Sequence, residues 1–458
     1  MSRFTAALTG SVLATYLLVA LGATTAATGD GSFAAGHYLV AVLVGLLLLT
    51  VAALAILERR DRLVQVGAVA VVVVYPLQAL LGMVGLTGGT VFAGQLHLLG
   101  GLAVFGLLLW TLVWHLDREV GPRSLGDGTV TPSAGTSTPE STAATAQQSA
   151  EVDVGQTGGT VASSGAVATI KSRTRAYVAL TKPRLMWLLS LLAVGGMALA
   201  TITGATLDGV TVVATLAGGV LAIGASATFN HVYERDRDSR MDRTADRPVA
   251  TQTVGPRRAS VFGTVLFAAS MGILLAFVNP LAALLTAVAA VYYAVGYTVL
   301  LKPTTKYNTV LGGGAGALPA VIGWAAVTGS VGLPALVLAA VVFCWTPAHF
   351  YNLAIVYRED YAAGGYPMLP VVDGIDATRR RILYWLGTTL GATAVLGAVA
   401  GFGYVYVTAA TAVGAVFLWS VVKQYRLETP GAALRSFHAS NAFLGVVLVA
   451  ILVETVVI

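Results

Sequence analysis

The sequence predicts an all-α polytopic membrane protein, in which a four-helix transmembrane domain precedes a nine-helix bundle. Of the 458 residues, 56% are hydrophobic and only 10% are charged, and the mean hydropathy is +0.80. Soluble domains carry about a quarter charged residues. The apolar residues also form thirteen runs long enough to cross a bilayer. The net charge of +6 does not indicate a nucleic-acid partner, because the basic residues stand at the ends of apolar runs.

The first four apolar runs predict a transmembrane domain over residues 1–120. They cover about 4–27, 36–57, 63–86 and 92–114. The first run is either a cleaved signal peptide or a membrane span, and its length and the three following runs favour a span. Residues 121–172 are rich in Ser, Thr, Gly and Ala. Such a composition cannot bury a core, so we expect a disordered cytoplasmic linker.

Nine further runs predict a second transmembrane domain over residues 173–458. They cover about 184–203, 210–231, 257–278, 280–301, 308–328, 333–356, 381–401, 404–422 and 437–457. With the N-terminus in the cytoplasm, all 27 Lys and Arg residues fall at cytoplasmic ends or loops. We therefore expect a multi-pass protein of the cell membrane. The polar loops 231–256, 302–307 and 357–380 then share the cytoplasmic face.

The stretch from Asn230 to Pro248 carries five acidic and five basic residues in nineteen positions. Asn230, Glu234 and Asp238 recur every four residues, which places them on one face of a helix, and Asp242 follows one turn later. Polar groups inside a membrane are expensive and usually functional. Acids at the mouth of an apolar bundle suggest a Mg²⁺ site for a phosphorylated substrate. The alternative is an ordinary cytoplasmic loop of mixed charge.

A second acidic pair lies in the loop 357–380. Glu359 and Asp360 could hold metal, while Tyr357, Arg358 and Tyr361 could donate hydrogen bonds to phosphate oxygens. Together with the first cluster they predict a two-sided clamp on a metal-bound diphosphate.

Several other polar residues have two interpretations. Lys182, Arg184, Lys302 and Lys306 could bind phosphate or could only mark topology, and Asn308 stands beside them. His349 could be a hydrogen-bonded packing residue. Its aromatic neighbours favour contact with a flat substrate or its metal.

Six blocks in order resemble the protoheme IX farnesyltransferase (heme O synthase) family of the UbiA-type membrane prenyltransferase superfamily. The blocks are Leu180 to Arg184; Asn230 to Pro248; Lys302 with Thr304, Thr305 and Asn308; Gly312 to Pro319 with Gly323 and Trp324; Trp345 to Phe350; and Tyr357 to Tyr361 through Pro367 to Val371. The Met241 to Pro248 and Trp345 to Phe350 blocks point to this family rather than to its relatives. The resemblance covers residues 176–457.

The resemblance implies a UbiA-type bundle of nine helices around a central cavity, in which farnesyl diphosphate and heme b react to give heme O. The metal ligands it implies are Asn230, Glu234, Asp238, Glu359 and Asp360, with Asp242 nearby. Arg243 falls in the same block and would bind substrate. It also implies that the lipid bilayer surrounds the bundle, with heme A synthase or a terminal oxidase assembly as a partner. The sequence departs from the superfamily pattern at His231 and Glu234, where aspartates are common.

The four N-terminal spans are weakly similar to half of the heme A synthase family. His37 begins the second span and His97 lies near the start of the fourth, at a similar outer depth, and a pair of histidines on neighbouring helices could ligate heme. The other interpretation is two polar helix-end residues. Ala34 stands where that family has an acid, and the outer loops hold no cysteine. The sequence therefore does not assign oxidase chemistry to this domain.

Two alternative functions remain at this point. One is a UbiA-type prenyltransferase with a quinone or lipid acceptor. The other is a transporter or non-catalytic heme-handling membrane protein. The family-specific blocks argue against the first, and the clustered cytoplasmic carboxylates argue against the second, since transport sites usually lie near the midplane.

Overall fold

The structure is a computed structural model that describes residues 2–29, 31–86, 91–120 and 172–457. Every regular element in those ranges is helical. The helices are α1 (Arg3–Thr28), α2 (Gly31–Leu57), α3 (Arg62–Leu86), α4 (Val91–Val120), α5 (172–180), α6 (Pro183–Ala200), α7 (Gly209–Asp238), α8 (Pro256–Phe277), α9 (Pro280–Val291), α10 (Lys302–Thr304), α11 (Asn308–Thr328), α12 (Leu333–Val356), α13 (Arg358–Ala363), α14 (Leu369–Val372), α15 (Gly374–Ala400), α16 (Tyr404–Leu427) and α17 (Pro430–Leu452).

The predicted all-α polytopic membrane fold is confirmed. Within the described ranges, thirteen helical segments are long and apolar enough to cross a membrane, four before residue 120 and nine after residue 182. One segment, Pro280–Thr304, joins α9 to α10 through a π-helical stretch, Tyr292–Leu301. The predicted linker, residues 121–172, falls outside the described residues except for Ser172, which begins α5.

Helices α1 to α4 form the N-terminal bundle. α1 packs against α2 and α4, and α3 packs against the same two helices. Leu8 and Tyr16 of α1 are fully buried, because α1 also faces the rest of the molecule. α2 and α3 keep large apolar side chains such as Leu46 and Val73 on an uncovered face. Such a face is suited to lipid.

Helices α6 to α17 form the C-terminal bundle, in which α11 packs against both α6 and α12. Two glycines let α6 and α11 touch backbone to backbone. A Cβ on Gly196 would lie 2.1 Å from the Ala320 carbonyl oxygen, and a Cβ on Gly323 would lie 2.0 Å from that of Ala193. Small residues permit such close helix crossings in membranes. This crossing fixes one wall of the central cavity.

The two bundles share an apolar core and an ionic contact. α1 and α4 pack on α15 and α16. At the end of α4, Asp117 accepts hydrogen bonds from the Tyr425 hydroxyl and, at 3.3 Å, from Arg380 Nη1. Glu119 Oε1 lies 3.3 Å from Arg426 Nη2. The N-terminal bundle is therefore docked on the second bundle by both burial and charge.

Helical structure reaches further into the polar segments than the apolar runs suggest. α7 continues to Asp238, so the first part of the expected loop 231–256 is helical. Between Gly224 and Asp238, α7 contains no Gly or Pro that would interrupt it. Arg235 and Arg237 lie in its last turn, where their positive charges interact favourably with the negative end of the helix dipole. The expected loop 357–380 contains α13, α14 and the start of α15.

Candidate active site

Three polar side chains lie on one buried face at the end of α7. Asn230 is 2% exposed, Glu234 2% and Asp238 1%. Their spacing of four residues aligns them along the helix, as the sequence indicates. Two carboxylates in such a place are costly unless cations or hydrogen-bond donors compensate them.

Two basic side chains provide that compensation. Lys302, at the end of the π-helical stretch, donates to Glu234 Oε1 at 2.5 Å. Arg247 Nη1 donates to both oxygens of Asp238 at 2.8 Å each and lies 3.8 Å from Glu234 Oε2. The carboxylates are thus held by cations from two different segments, and an incoming anion would attract the same cations.

Lys182 approaches the same cluster from the start of α6. Its ammonium donates to Asn230 Oδ1, while Asn230 Nδ2 donates to Thr298 Oγ1 at 3.2 Å. Burial, followed by the positive charge of Arg247, lowers the pKa of Lys182 to about 7. Its backbone is left-handed, with φ 52°. This conformation costs a residue with a Cβ about 1–3 kcal/mol and is concentrated at functional sites.

Arg243 joins the second acidic region to the first. Its guanidinium carbon lies 4.9 Å from the ring centroid of Tyr357 and 5.5 Å from that of Tyr361. Arg243 Nε is 3.7 Å from Asp360 Oδ2. That buried oxygen accepts no hydrogen bond within the described structure. Arg243, which belongs to the first acidic stretch, therefore contacts the second acidic region through an arginine–tyrosine stack.

The ring of Tyr366 packs against two cationic side chains at the site, Lys302 and Arg237. Lys302 Nζ is 4.3 Å from its ring centroid and the Arg237 guanidinium carbon 4.9 Å. Burial raises the pKa of Tyr366, so it stays a neutral phenol. Lys306 instead pairs with Asp373 at 2.8 and 2.9 Å. Of the two predicted loop lysines, only Lys302 contacts the acidic cluster in the described structure.

An apolar cavity of about 370 Å³ opens beside this cluster. Such a volume lies in the range of small-molecule sites, roughly 300–1,000 Å³. Of the described residues that line it, Lys182 is the one that carries a charge, and it sits at the same end as Asn230. Tyr293, Tyr297, Trp345 and Phe350 supply aromatic faces. The arrangement offers a charged mouth and an aromatic, apolar interior.

The other predicted residues take different places. Asn308 is fully buried and donates to the Thr305 carbonyl at 2.6 Å, which serves the turn before α11. His349 is stacked between Trp345 and Phe437, with centroids 4.2 and 4.3 Å away, and its Nδ1 bonds Ser440 Oγ at 2.6 Å. The Trp345 ring therefore separates His349 from the cavity.

Four other predicted residues have exposed side chains: Arg184, Asp242, Arg358 and Glu359. His37 and His97 lie together in the N-terminal bundle, with ring centroids 6.1 Å apart.

Sequence reasoning missed five contributors to the site: Arg247, Tyr293, Tyr297, Thr298 and Tyr366. Arg247 was inside the recognised stretch but was not distinguished from its four arginine neighbours. Tyr293, Tyr297 and Thr298 come from a span that reads as plain apolar helix, although tyrosines at an interval of four residues were a usable signal. His231 is 3% exposed, and neither ring nitrogen has a hydrogen-bond partner in the described structure.

The acidic oxygens of the mouth suit a hard divalent cation such as Mg²⁺. Asn230, Glu234, Asp238 and Asp360 offer carboxylate and amide oxygens, and the Asp360 oxygen without a hydrogen bond is available. Within the described ranges, no three His, Cys, Asp or Glu side chains form one metal-binding group. Mg²⁺ usually binds through one or two carboxylates together with substrate phosphates and water.

Comparison with known proteins identifies both the family and the extent of the match. Residues 188–447 match the model of the UbiA prenyltransferase family. The chain is 61% identical to protoheme IX farnesyltransferase 2 of Natronomonas pharaonis, over the whole of both proteins. It is 44% identical to protoheme IX farnesyltransferase 1 of Saccharopolyspora erythraea, which matches 62% of this chain and 90% of that protein. The matched part of this chain, 62%, is about as long as the C-terminal domain of residues 173–458.

One solved structure resembles this chain in fold, and at its low sequence identity it supports only the fold. The structure of digeranylgeranylglyceryl phosphate synthase is 13% identical in sequence and covers 63% of this chain and 100% of that one, with a TM-score of 0.53.

Proposed function

The chain belongs to the UbiA prenyltransferase family, and we propose that it transfers the farnesyl group of farnesyl diphosphate to the 2-vinyl group of protoheme IX. The products are heme O and diphosphate. The observation that carries this proposal is the buried Glu234–Asp238 pair at the mouth of an apolar cavity. The full-length relatives named protoheme IX farnesyltransferase support the choice of donor and acceptor.

The cations of the mouth would bind the diphosphate. Lys302, Arg247 and Lys182 already point at acidic or amide oxygens from three segments. A diphosphate with Mg²⁺ would replace those contacts, and the metal would offset most of the negative charge that the diphosphate brings into the buried cluster. Asn230, Glu234 and Asp238 would hold the metal on one side, and Asp360 with the exposed Glu359 on the other. Bound Mg²⁺ neutralises the charge that develops on the departing diphosphate.

The cavity would hold the farnesyl chain and protect the reacting carbon from water. Breaking the bond between farnesyl C1 and the diphosphate oxygen gives an allylic cation. The faces of Tyr293 and Tyr297 can stabilise that cation. The terminal vinyl carbon of heme b then bonds to farnesyl C1. Water adds to the other vinyl carbon and loses a proton, which completes the hydroxyethylfarnesyl group.

The site would open to the cytoplasm. This orientation rests on the positive-inside rule, since threading the chain with a cytoplasmic N-terminus places all 27 Lys and Arg residues on that side. The proposed membrane is the cell membrane. Heme O is then available there to a heme A synthase or a terminal oxidase assembly.

A membrane assay tests the proposal. Membranes with the wild-type protein receive farnesyl diphosphate, Mg²⁺ and either heme b, a quinone precursor or a lipid acceptor, and the products are identified by mass. We expect heme O only, and none without Mg²⁺ or in the Asp238→Ala variant. A prenylated quinone or lipid would assign another acceptor. Full activity of Asp238→Ala would refute the proposed site.

A further inference from the structure

An open groove lies on the rim of the C-terminal bundle, separate from the acidic cluster and from the central cavity. Its volume is about 510 Å³, and it is lined by Tyr177 of α5 and by Arg257, Arg258, Val261 and Phe262 of α8. The rings of Tyr177 and Phe262 meet edge to face, with their centroids 5.0 Å apart. The groove is therefore formed where the short helix α5 contacts the beginning of a membrane-spanning helix.

The two arginines of the groove have no acidic partner. Both side chains are exposed, and within the described ranges neither takes part in a hydrogen bond or an ion pair. They stand in the first turn of α8, which contains no acidic residue. Positive charge near the N-terminus of a helix interacts unfavourably with the helix dipole. Arg257 and Arg258 therefore do not stabilise α8 electrostatically, and they leave two adjacent positive charges available to an anion.

The face of α8 that continues from these arginines is apolar and uncovered. Val261 and Val265 follow Arg257 at intervals of four residues, which places all three on one side of the helix. Each valine is 59% exposed. With a rise of 1.5 Å per residue, the valines lie about 6 and 12 Å further into the span than Arg257. This order, from positive charge to uncovered apolar surface, matches a phospholipid with its headgroup above an acyl chain. A free phosphate would contact only the arginines.

Helix α5 adds further charge and an aromatic side chain at the same end of the span. Arg173 stands four residues before Tyr177 and therefore shares the side of α5 that lines the groove. Arg175 is also exposed. Tyrosine has an apolar ring and a polar hydroxyl, and it is enriched where lipid meets water. The groove thus combines positive charge with the kind of side chain found at the level of lipid headgroups.

We propose that this groove binds the phosphate headgroup of an anionic membrane lipid, with an acyl chain along Val261 and Val265. Basic pockets between helices at the end of transmembrane spans bind anionic headgroups. The guanidinium groups of Arg257 and Arg258 offer several N–H donors to phosphate oxygens. A zwitterionic headgroup also carries a positive charge, which the arginines repel. The groove should therefore discriminate between anionic and zwitterionic lipids.

The groove is connected to the proposed active site through a small apolar cluster. The buried members of this cluster are Ala176, Leu180, Val249, Val254 and Ala259. Both aromatic residues of the groove pack on it. Leu180 stands two residues before Lys182, and Val249 stands two residues after Arg247. A bound lipid would therefore stabilise the segments that position these two cations. This consequence rests on the proposed transferase function, whereas the binding of lipid does not.

Competitive lipid binding to the purified full-length protein tests the proposal. The protein in detergent is titrated with equal amounts of phosphatidylglycerol, which is anionic, and phosphatidylcholine, which is zwitterionic, and bound lipid is counted by native mass spectrometry. We expect wild type to bind phosphatidylglycerol preferentially. The Arg257→Gln/Arg258→Gln variant should bind it about 25-fold more weakly, at about fivefold per arginine. Arg235→Gln/Arg240→Gln is the matched control, because both arginines are exposed but do not line the groove, and it should keep wild-type binding.

A second variant and a soluble competitor distinguish a lipid from a free phosphate. Val261→Gln/Val265→Gln keeps both arginines but removes the apolar surface that an acyl chain would cover. We expect it to bind phosphatidylglycerol about 10-fold more weakly. Inorganic phosphate at the same concentration as the lipid should not displace it. Unchanged thermal unfolding shows that each variant is folded.

Three outcomes overturn the proposal. Equal binding of both lipids by wild type would show that the groove does not select negative charge. An equal loss of binding in the two arginine variants would mean a general effect of charge. Displacement of phosphatidylglycerol by inorganic phosphate would assign the groove to a free anion. Farnesyl transfer is measured separately, and absent transfer with intact lipid selectivity in wild type would refute only the proposed transferase function.

Discussion

The two bundles bury their polar side chains in different chemical forms. Inside the N-terminal bundle many of these side chains are hydroxyls that donate to a backbone carbonyl of their own helix, as for Thr9 with Thr5 and Thr111 with Leu107, both at 2.8 Å. One bond joins two side chains, since Thr5 Oγ1 lies 2.9 Å from His115 Nε2. Inside the C-terminal bundle, Glu234 and Asp238 are charged and depend on Lys302 and Arg247. A bond to the helix's own backbone serves the fold. A bond to another side chain can be exchanged for a ligand.

The largest effect is expected when one of the two buried carboxylates, Glu234, is removed. We expect Glu234→Ala to lower the rate of farnesyl transfer more than about 100-fold, as for loss of a group that stabilises developing charge. Asp236→Ala is the matched control, because Asp236 lies on the same helix but its side chain is 75% exposed. Measured initial rates that fall equally in both variants would mean a general effect on the helix.

Removing a cation should have the next largest effect. Arg247→Ala leaves Asp238 buried without its partner, which costs about 3–5 kcal/mol of stability in buried pairs, and should raise the KM for farnesyl diphosphate about 10-fold. Arg247→Lys should recover most of both losses, because a single nitrogen, Nη1, contacts both Asp238 oxygens. Thermal unfolding and KM measure the two effects. Equal defects in the two variants would show that guanidinium geometry, not charge, is required.

The backbone of Lys182 gives a smaller effect. Both Lys182→Gly and Lys182→Ala lose the bond to Asn230, but only glycine adopts the left-handed conformation without strain. We expect the glycine variant to be more stable by about 1–2 kcal/mol. Thermal unfolding in detergent measures the difference. If alanine proved equally stable, the strain would be absent.

The smallest effect should come from the N-terminal bundle. Gln78 is buried, its amide donates to the His97 carbonyl, and its Oε1 has no partner within the described structure. Replacing it by leucine removes the contacts of its amide nitrogen with the His97 carbonyl and with His97 Nδ1, 2.8 Å away, together with one unpaired acceptor. The change in stability should therefore stay below about 1.5 kcal/mol. Farnesyl transfer should be unchanged. A loss comparable to that of Arg247→Ala would erase the distinction between the bundles.

The part of the site that lies on a single helix was predictable from the spacing of its polar residues. The interval of four residues between Asn230, Glu234 and Asp238 specified one face, and the apolar run before them specified burial. The approach of the Asp360 region followed from shared topology. Both inferences use spacing or side of the membrane, which a linear sequence contains.

The partners of these groups were not predictable in the same way. Arg247 reaches Asp238 because the chain turns after α7, and the five arginines of that stretch have no periodicity that selects one. His349 faces Ser440, on a helix 91 residues later in the chain, rather than the cavity. Spacing within one helix does not determine which of several neighbouring helices a side chain meets.

The π-helical stretch Tyr292–Leu301 has a consequence for how the site is aimed. A π-helix accommodates extra residues in each turn, and it often arises as a local insertion in an α-helix. Each added residue rotates everything after it by about 100° relative to an α-helix of 3.6 residues per turn. Lys302 immediately follows this stretch. The direction in which its ammonium points, toward Glu234, is therefore set by the winding of the ten residues before it.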